Sequence, residues 1–316
     1  MTDSSTTRDL FEALRDQLSL EWIAGRSGEQ RSLRGDFPGA AAQALVGPLN
    51  CIHPNRIQVI GRCEQVYLSG LRGRSFEDFM DKLFCGEPAA LIVADGIQPD
   101  PLIIEYADRT STPLLAALLP DNELVSQLQY FLTHLLADST ILHGVFLEVL
   151  GMGVLLTGDA AVGKSELALE LISRGHRLIA DDAPRFSRIT PDIIEGTCPE
   201  VLREFLEVRG LGVLNIRAMF GDAAIKEKKY LRLIVHLSRM GERELARMDR
   251  LGAVSATRTI LGLEVPEVLV PVASGRNMAI LVETAVRNHL LRRKGYDATG
   301  DFIERQRLIM SPDDGD

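Results

Sequence analysis

The stretch Gly158-Asp159-Ala160-Ala161-Val162-Gly163-Lys164-Ser165 decides how the rest of the chain is read. Glycine stands first and sixth, followed by lysine and a hydroxyl residue, the eight-residue pattern of a phosphate-binding loop. Its setting matters more than the pattern. The apolar run Val154-Leu155-Leu156-Thr157 leads in as a strand, and residues 166–172 continue with a helical period. A strand end, a tight loop and a fresh helix N-terminus are what phosphate binding requires. Glycines let successive N–H groups turn inward, and the helix dipole adds partial positive charge. Lys164 is then expected to reach the β- and γ-phosphates, and the Ser165 hydroxyl to ligate Mg²⁺. The expected ligand is a nucleoside triphosphate or a similar polyphosphate.

Downstream, residues 144–157 read as two strands joined by Gly151-Met152-Gly153. A helix from about Ser165 to Arg174 stops at Gly175, and residues 177–182 form a strand tipped by Asp181 and Asp182. A strand–loop–helix–strand unit of this length predicts a right-handed parallel crossover, which brings both carboxylates to the phosphate loop. One could hold Mg²⁺ and the other accept a proton from an incoming hydroxyl; spacing does not decide which does what. Residues 206–215 carry two glycines within an apolar run, a sign of a sharp bend or close backbone approach. There Glu207 could face metal and Arg209 phosphate, or the two could be a surface ion pair. Residues 230–237 predict a strand. Residues 238–259 are polar and arginine-rich around Asp249-Arg250-Leu251-Gly252, whose arginine suits either transition-state charge or a solvated loop. The turn Pro271-Val272-Ala273-Ser274-Gly275-Arg276 feeds a helix with Met278, Leu281, Val282, Ala285, Val286 and Leu290 on its inward face. Basic residues 292–294 and Gly295 close that helix. A last helix is expected over 299–310, ahead of an acidic tail.

Upstream, the pattern is architectural. Leu10, Phe11, Leu14 and Leu18 make a short amphipathic segment, and residues 25–39 read as loop. Strands are expected at 44–46, 57–60, 90–93 and 113–115, with a helix through Phe76, Phe79, Met80 and Leu83. The alternation predicts a small parallel-sheet α/β domain. His53 falls in a loop before Pro54 and carries no chemistry. A helix over 122–137, with an acidic first turn, is expected to connect this domain to the next. The expected division is 1–133 and 134–316.

The composition narrows the class. A net charge of −9 disfavours nucleic acid as the main partner. Cys51, Cys63, Cys85 and Cys198 are too scattered for a disulfide framework or a zinc site. No secretion signal is read at the start, and no apolar run has the length of a membrane span. The expectation is a soluble, cytoplasmic protein.

Together these motifs resemble one family, bacterial HPr kinase/phosphorylase. The likeness rests on His143-Gly144, residues 158–166, 176–182, 206–215, 249–252, 271–277 and 295–299, in the family's order. It implies a hexamer whose second domain is a phosphate-loop kinase domain related in fold to phosphoenolpyruvate carboxykinase. It also implies two activities: phosphorylating a serine of the phosphocarrier protein HPr with ATP or pyrophosphate, and removing that phosphate by phosphorolysis with release of pyrophosphate. By the same resemblance His143, Lys164, Asp181, Asp182 and Arg250 form the catalytic set, and Ser165 and Glu207 ligate Mg²⁺. Residues 206–215 serve both directions, and Pro271–Arg276 serve dephosphorylation. Two departures stand out. Ala160-Ala161 occupies a place where the family often has Ser-Gly, and Ala273 one where many members carry a basic residue. The residues alone leave two other readings open: a small-metabolite kinase on this scaffold, and an ATP-sensing regulator without turnover.

Overall fold

The computed structural model describes residues 5–34, 45–52, 54–240, 255–273 and 275–310. His53, Ser274, the 249–252 stretch with Arg250, and the tail after 310 lie outside the described residues. The chain divides into two compact units, Met1–Ala137 and Asp138–Asp316.

The first unit opens with α1 (Thr7–Leu18), started by a capping box in which Thr6 and Asp9 satisfy each other's backbone N–H groups. There follow β1 (Glu21–Ala24), β2 (Val46–Pro48), β3 (Ile57–Ile60), α2 (Arg62–Gly70) and α3 (Arg74–Cys85). The unit ends with β4 (Ala90–Val93), α4 (Pro101–Arg109), β5 (Leu114–Ala116) and α5 (Asp121–Leu135). The sheet runs β1-β5-β4-β3-β2. Strands β2 to β5 are parallel, as expected, while β1 adds an antiparallel edge against β5 that the residues around Trp22 did not announce. Each central strand feeds two cores by simple alternation. Ile57, Val59 and Ile92 pack with α1 and α5, whereas Ile60, Leu91 and Val93 pack with Leu68, Met80 and Ile103 of α2, α3 and α4. The helix expected as a connector is α5. Its Leu124, Leu128 and Leu132 are fully buried in the first core, so it belongs to that unit.

In the second unit the chain forms β6 (Ser139–Ile141), β7 (Val145–Val149), β8 (Met152–Gly158), α6 (Lys164–Ser173) and β9 (Arg177–Ala180). Next come β10 (Arg185–Thr190), β11 (Ile193–Thr197), β12 (Phe205–Val208), β13 (Gly212–Asn215) and α7 (Ile216–Phe220). The last elements are β14 (Lys228–Arg239), β15 (Ser255–Ile260), β16 (Leu263–Val272), α8 (Met278–Arg293) and α9 (Ala298–Met310). The main sheet runs β6-β10-β11-β14-β8-β7-β9, with β16 added beside β14 and β15 beside β16. Strand β14 is parallel to both β8 and β16. Strand β7 is antiparallel to β8 and to β9, so β8 and β9 run the same way and end at one edge. The expected parallel direction of these two strands therefore holds, with β7 inserted between them. Strand β15 was hidden within the arginine-rich stretch because its Ser-Ala-Thr-Arg-Thr run lacks an apolar alternation.

One face of this sheet packs Leu156, Leu233, Val235 and Leu237 against Leu167 and Leu171 of α6 and Val282 and Val286 of α8. The two helices are also tied by charge. Arg174 donates both Nε and Nη2 to the Glu283 carboxylate at 2.9 and 2.8 Å, and His176 Nε2 lies 2.9 Å from the same group. The Arg174 hydrogen bond, with help from His176, holds the Glu283 carboxyl down at about 2. A carboxyl depressed in this way stabilises the fold fully above its unfolded value of 4.5 and loses that contribution as pH falls toward 2. The melting temperature of Glu283→Gln should accordingly lie below the parent's by a constant gap from neutral pH down to about 4.5, narrowing below it. A gap unchanged down to the acid limit of folding contradicts this assignment.

Candidate active site

Strand β8 delivers the phosphate loop at Gly158, which has φ of 139°. A Cβ at this position would lie 2.3 Å from the Leu237 carbonyl oxygen of β14, so only glycine fits. Val162 is buried in the core and pins the loop's apex. Gly163, with φ of 104°, is the N-cap of α6 and supplies no capping side chain. The first N–H groups of that helix are thereby left for an anion, with the helix dipole behind them. Lys164 Nζ donates to the carbonyl oxygens of Gly158 and Asp159, 3.0 Å each, so the ammonium lies folded across the loop.

The two carboxylates that follow β9 have different surroundings. Asp181 Oδ2 accepts the Glu207 N–H at 2.8 Å, and burial pushes its carboxyl up from the ordinary range. Asp182 has φ of 60°, a left-handed conformation that costs a non-glycine residue and tends to persist only where surroundings enforce it. Here the Asp182 carbonyl accepts the Gly144 N–H at 3.3 Å, joining it to the start of β7. Its side chain is 84% exposed and stands 3.8 Å from His143 Nδ1. Asp181 is thus committed to the protein, and Asp182 is open.

Glu207 arrives on the β12–β13 hairpin. Leu206 and Val208 are buried in the core, which turns Glu207 between them outward. Emptying a buried leucine site costs roughly 2–5 kcal/mol, enough to keep such a hairpin seated. The sharp bend expected from the two glycines is the hairpin turn, with φ of 87° at Gly210 and 85° at Gly212.

A cavity of about 360 Å³ gathers these groups. Its walls are Ala160, Ala161, Gly163, Lys164, Ser165 and Glu166 on one side, and Asp181, Asp182, Glu207 and Arg209 with Gly144 and Val145 on the other. His143 stands beside Asp182 and outside that lining. Pro271 and Val272 end β16 in register with Ser238 and Arg239, next to the rung where Leu237 meets Gly158. The 271–276 turn therefore leaves from the loop's own sheet edge, and closes with the Arg276 N–H on the Ala273 carbonyl at 3.4 Å. Arg250 and Ser274 fall outside the described residues. Arg239 went unnoticed in the sequence, for it ends a strand and belongs to no motif. Its guanidinium bonds the Ala161 carbonyl oxygen.

The donors around the cavity suit a hard cation. A hydroxyl and one or two carboxylates are what Mg²⁺ takes from a protein when phosphate oxygens and water complete its shell. Among the described residues no group of three or more His, Cys, Asp or Glu is placed to hold a metal ion, as a closed protein cage would require.

Such a fold and cavity define an α/β protein of the phosphate-loop, nucleotide-binding class. The family model described as HPr Serine kinase C-terminal domain matches residues 134–306, and that of the HPr Serine kinase N terminus matches residues 6–132. Two relatives bear the name HPr kinase/phosphorylase. The protein of Stenotrophomonas maltophilia is 48% identical over 312 residues, and that of Xanthomonas campestris pv. campestris 47% over 311, each covering 98% of both chains. A solved structure of the Hpr(Ser) kinase/phosphatase from Coxiella burnetii shares 37% identity, covering 52% of this chain and 98% of that one, with a TM-score of 0.46. The chain belongs to the HPr serine kinase family. No helix among the described residues is long and apolar enough to cross a membrane.

Proposed function

We propose that this protein transfers phosphate from ATP or pyrophosphate to a serine of HPr and removes it again by phosphorolysis. What supports the reading is one cavity shared by Lys164, Ser165, Asp182 and Glu207, in a chain whose relatives are named for both activities. The loop amides and Lys164 grip the β- and γ-phosphates, which leaves the γ-phosphoryl group facing the carboxylate side of the cavity. Asp182 takes the proton of the attacking serine hydroxyl. The serine Oγ–phosphorus bond forms as the bond from phosphorus to the β-phosphate oxygen breaks, and ADP departs. In the return direction an oxygen of inorganic phosphate attacks the phosphoserine phosphorus. The phosphorus–Oγ bond breaks, Asp182 hands to the serine oxygen the proton given up by the attacking phosphate, and pyrophosphate is the product. Mg²⁺, held by Ser165 and Glu207 with phosphate oxygens, would neutralise charge on the transferring group.

Asp181 acts through its neighbour, holding Glu207 by the backbone. His143, next to Asp182, and Arg250 help neutralise or position phosphate. The 271–276 turn works in dephosphorylation. The acting form is a homohexamer in the cytoplasm, with neither nucleic acid nor membrane as partner.

The test is incubation with HPr, ATP and Mg²⁺, followed by removal of ATP and addition of phosphate. HPr should gain one phosphoryl group by mass, then lose it as pyrophosphate appears. If HPr remains untouched while a small metabolite gains the phosphate, the reading fails. In the same assay Arg276→Ala should slow the second step more than the first; equal losses remove any separate role for that turn.

A further inference from the structure

The phosphate loop contains a non-glycine residue in a conformation that favours glycine. Ala161 has φ of 62°, in the left-handed region, and lies among the cavity walls. Such a residue tends to relax toward negative φ unless something outside the loop holds it. Relaxation would rotate the 161–162 peptide. Because that peptide is planar and trans, its carbonyl and its N–H point opposite ways. With the Ala161 carbonyl held to one side the Val162 N–H is turned to the other, where it donates to the Asp159 carbonyl within the loop at 3.3 Å. That acceptor is one of the two oxygens now occupied by Lys164 Nζ. A carbonyl swung inward would instead set a negative dipole against bound phosphate.

Arg239 is placed to prevent that swing. Strand β14 carries Leu233, Val235 and Leu237 on the face that packs on α6, and period two puts Arg239, the last residue of the strand, on that same face. Leu237 pairs with Gly158, so Arg239 stands two residues past the start of the loop. Its guanidinium donates Nη2 to the Ala161 carbonyl oxygen, and its own backbone is in register with Val272. Arg239 holds this carbonyl without being one of the cavity walls.

We infer that Arg239 is a positioning residue for the phosphate loop, holding the Ala161 carbonyl outward and thereby supplying from β14 the restraint this alanine-containing loop needs to bind a polyphosphate. This rests on the nucleotide-site reading above. It also links the loop to the strand end that opens the 271–276 turn.

ATP binding in the presence of Mg²⁺, measured by calorimetric titration on the full chain, tests it. Arg239→Ala should weaken ATP binding about tenfold, the scale of one charge-assisted hydrogen bond. Introduced together with Ala161→Gly, the same change should cost much less, because glycine adopts positive φ without a brace. Loss of a nearby positive charge alone would weaken binding equally in both backgrounds, and that result overturns the inference. So does Arg239→Ala binding ATP as tightly as the parent. If the parent itself binds no ATP, the nucleotide-site reading falls as well, an outcome plainly different from the other two.

Discussion

Lys164→Ala is expected to lower phosphorylation of HPr by about 10³-fold, the scale seen when one preorganised donor to developing charge is removed. The lysine is the first residue of α6, and its ammonium already lies across the loop carbonyls of Gly158 and Asp159. A triphosphate entering the cavity presents better acceptors than those two carbonyls, so the ammonium transfers to the phosphates with little reorganisation. Its charge is then in place before phosphorus begins to move, which is why the loss falls mainly on the rate. The fold should survive the substitution, since Lys164 is only partly buried and pairs with no carboxylate among the described contacts. Initial rates of phosphoserine formation measure the effect, with thermal melting as the control. Near-normal activity in a folded variant would remove Lys164 from its assigned role.

The second large effect separates the two neighbouring acids. Asp182→Asn should slow phosphorylation and dephosphorylation alike, each by about 10²- to 10⁴-fold, because one group carries the proton in both directions. Asp181→Ala acts differently. It releases the Glu207 N–H, bound now at 2.8 Å, so the hairpin that carries Glu207 loosens. The expected sign is a raised Mg²⁺ requirement, with much of the maximal rate restored at saturating metal. Rates in both directions across a Mg²⁺ series distinguish the cases. If Asp181→Ala abolishes turnover at every Mg²⁺ concentration while Asp182→Asn stays active, the roles are reversed.

How much of this was legible beforehand depends on the range of the forces involved. The phosphate loop, α6 and the carboxylate-tipped strand β9 were readable because strand, tight turn and helix start are local signals. The strands at 57–60 and 90–93 match the expected boundaries, since a short apolar run between turn residues leaves little choice. Spacing does not settle which of Asp181 and Asp182 is the base, and favours Asp182 only by a small margin. They differ because Leu206 and Val208 sink into the core and carry the Glu207 amide to one of them, a consequence of tertiary packing alone. Edge strand β1 and strand β15 escaped because their partners, β5 and β16, supply what their own composition lacks. The helix α5 is legible at nearly its observed bounds, but its packing is not: an amphipathic face says that a helix packs, and only the fold says against what. Arg239 could have been singled out solely by knowing that β14 ends beside the loop.

The central claim is geometric: backbone amides of residues 158–165 hold a triphosphate while Asp182 looks at its terminal phosphorus. A crystal structure with a non-hydrolysable ATP analogue and Mg²⁺ tests it most directly. The β- and γ-phosphates should lie within hydrogen-bond distance of the loop amides and Lys164 Nζ, the metal should contact Ser165 Oγ and Glu207, and the Asp182 carboxylate should face the γ-phosphorus across a gap able to admit a serine hydroxyl. An analogue bound elsewhere, or bound in the loop with Asp182 turned away from the γ-phosphate, would contradict the account.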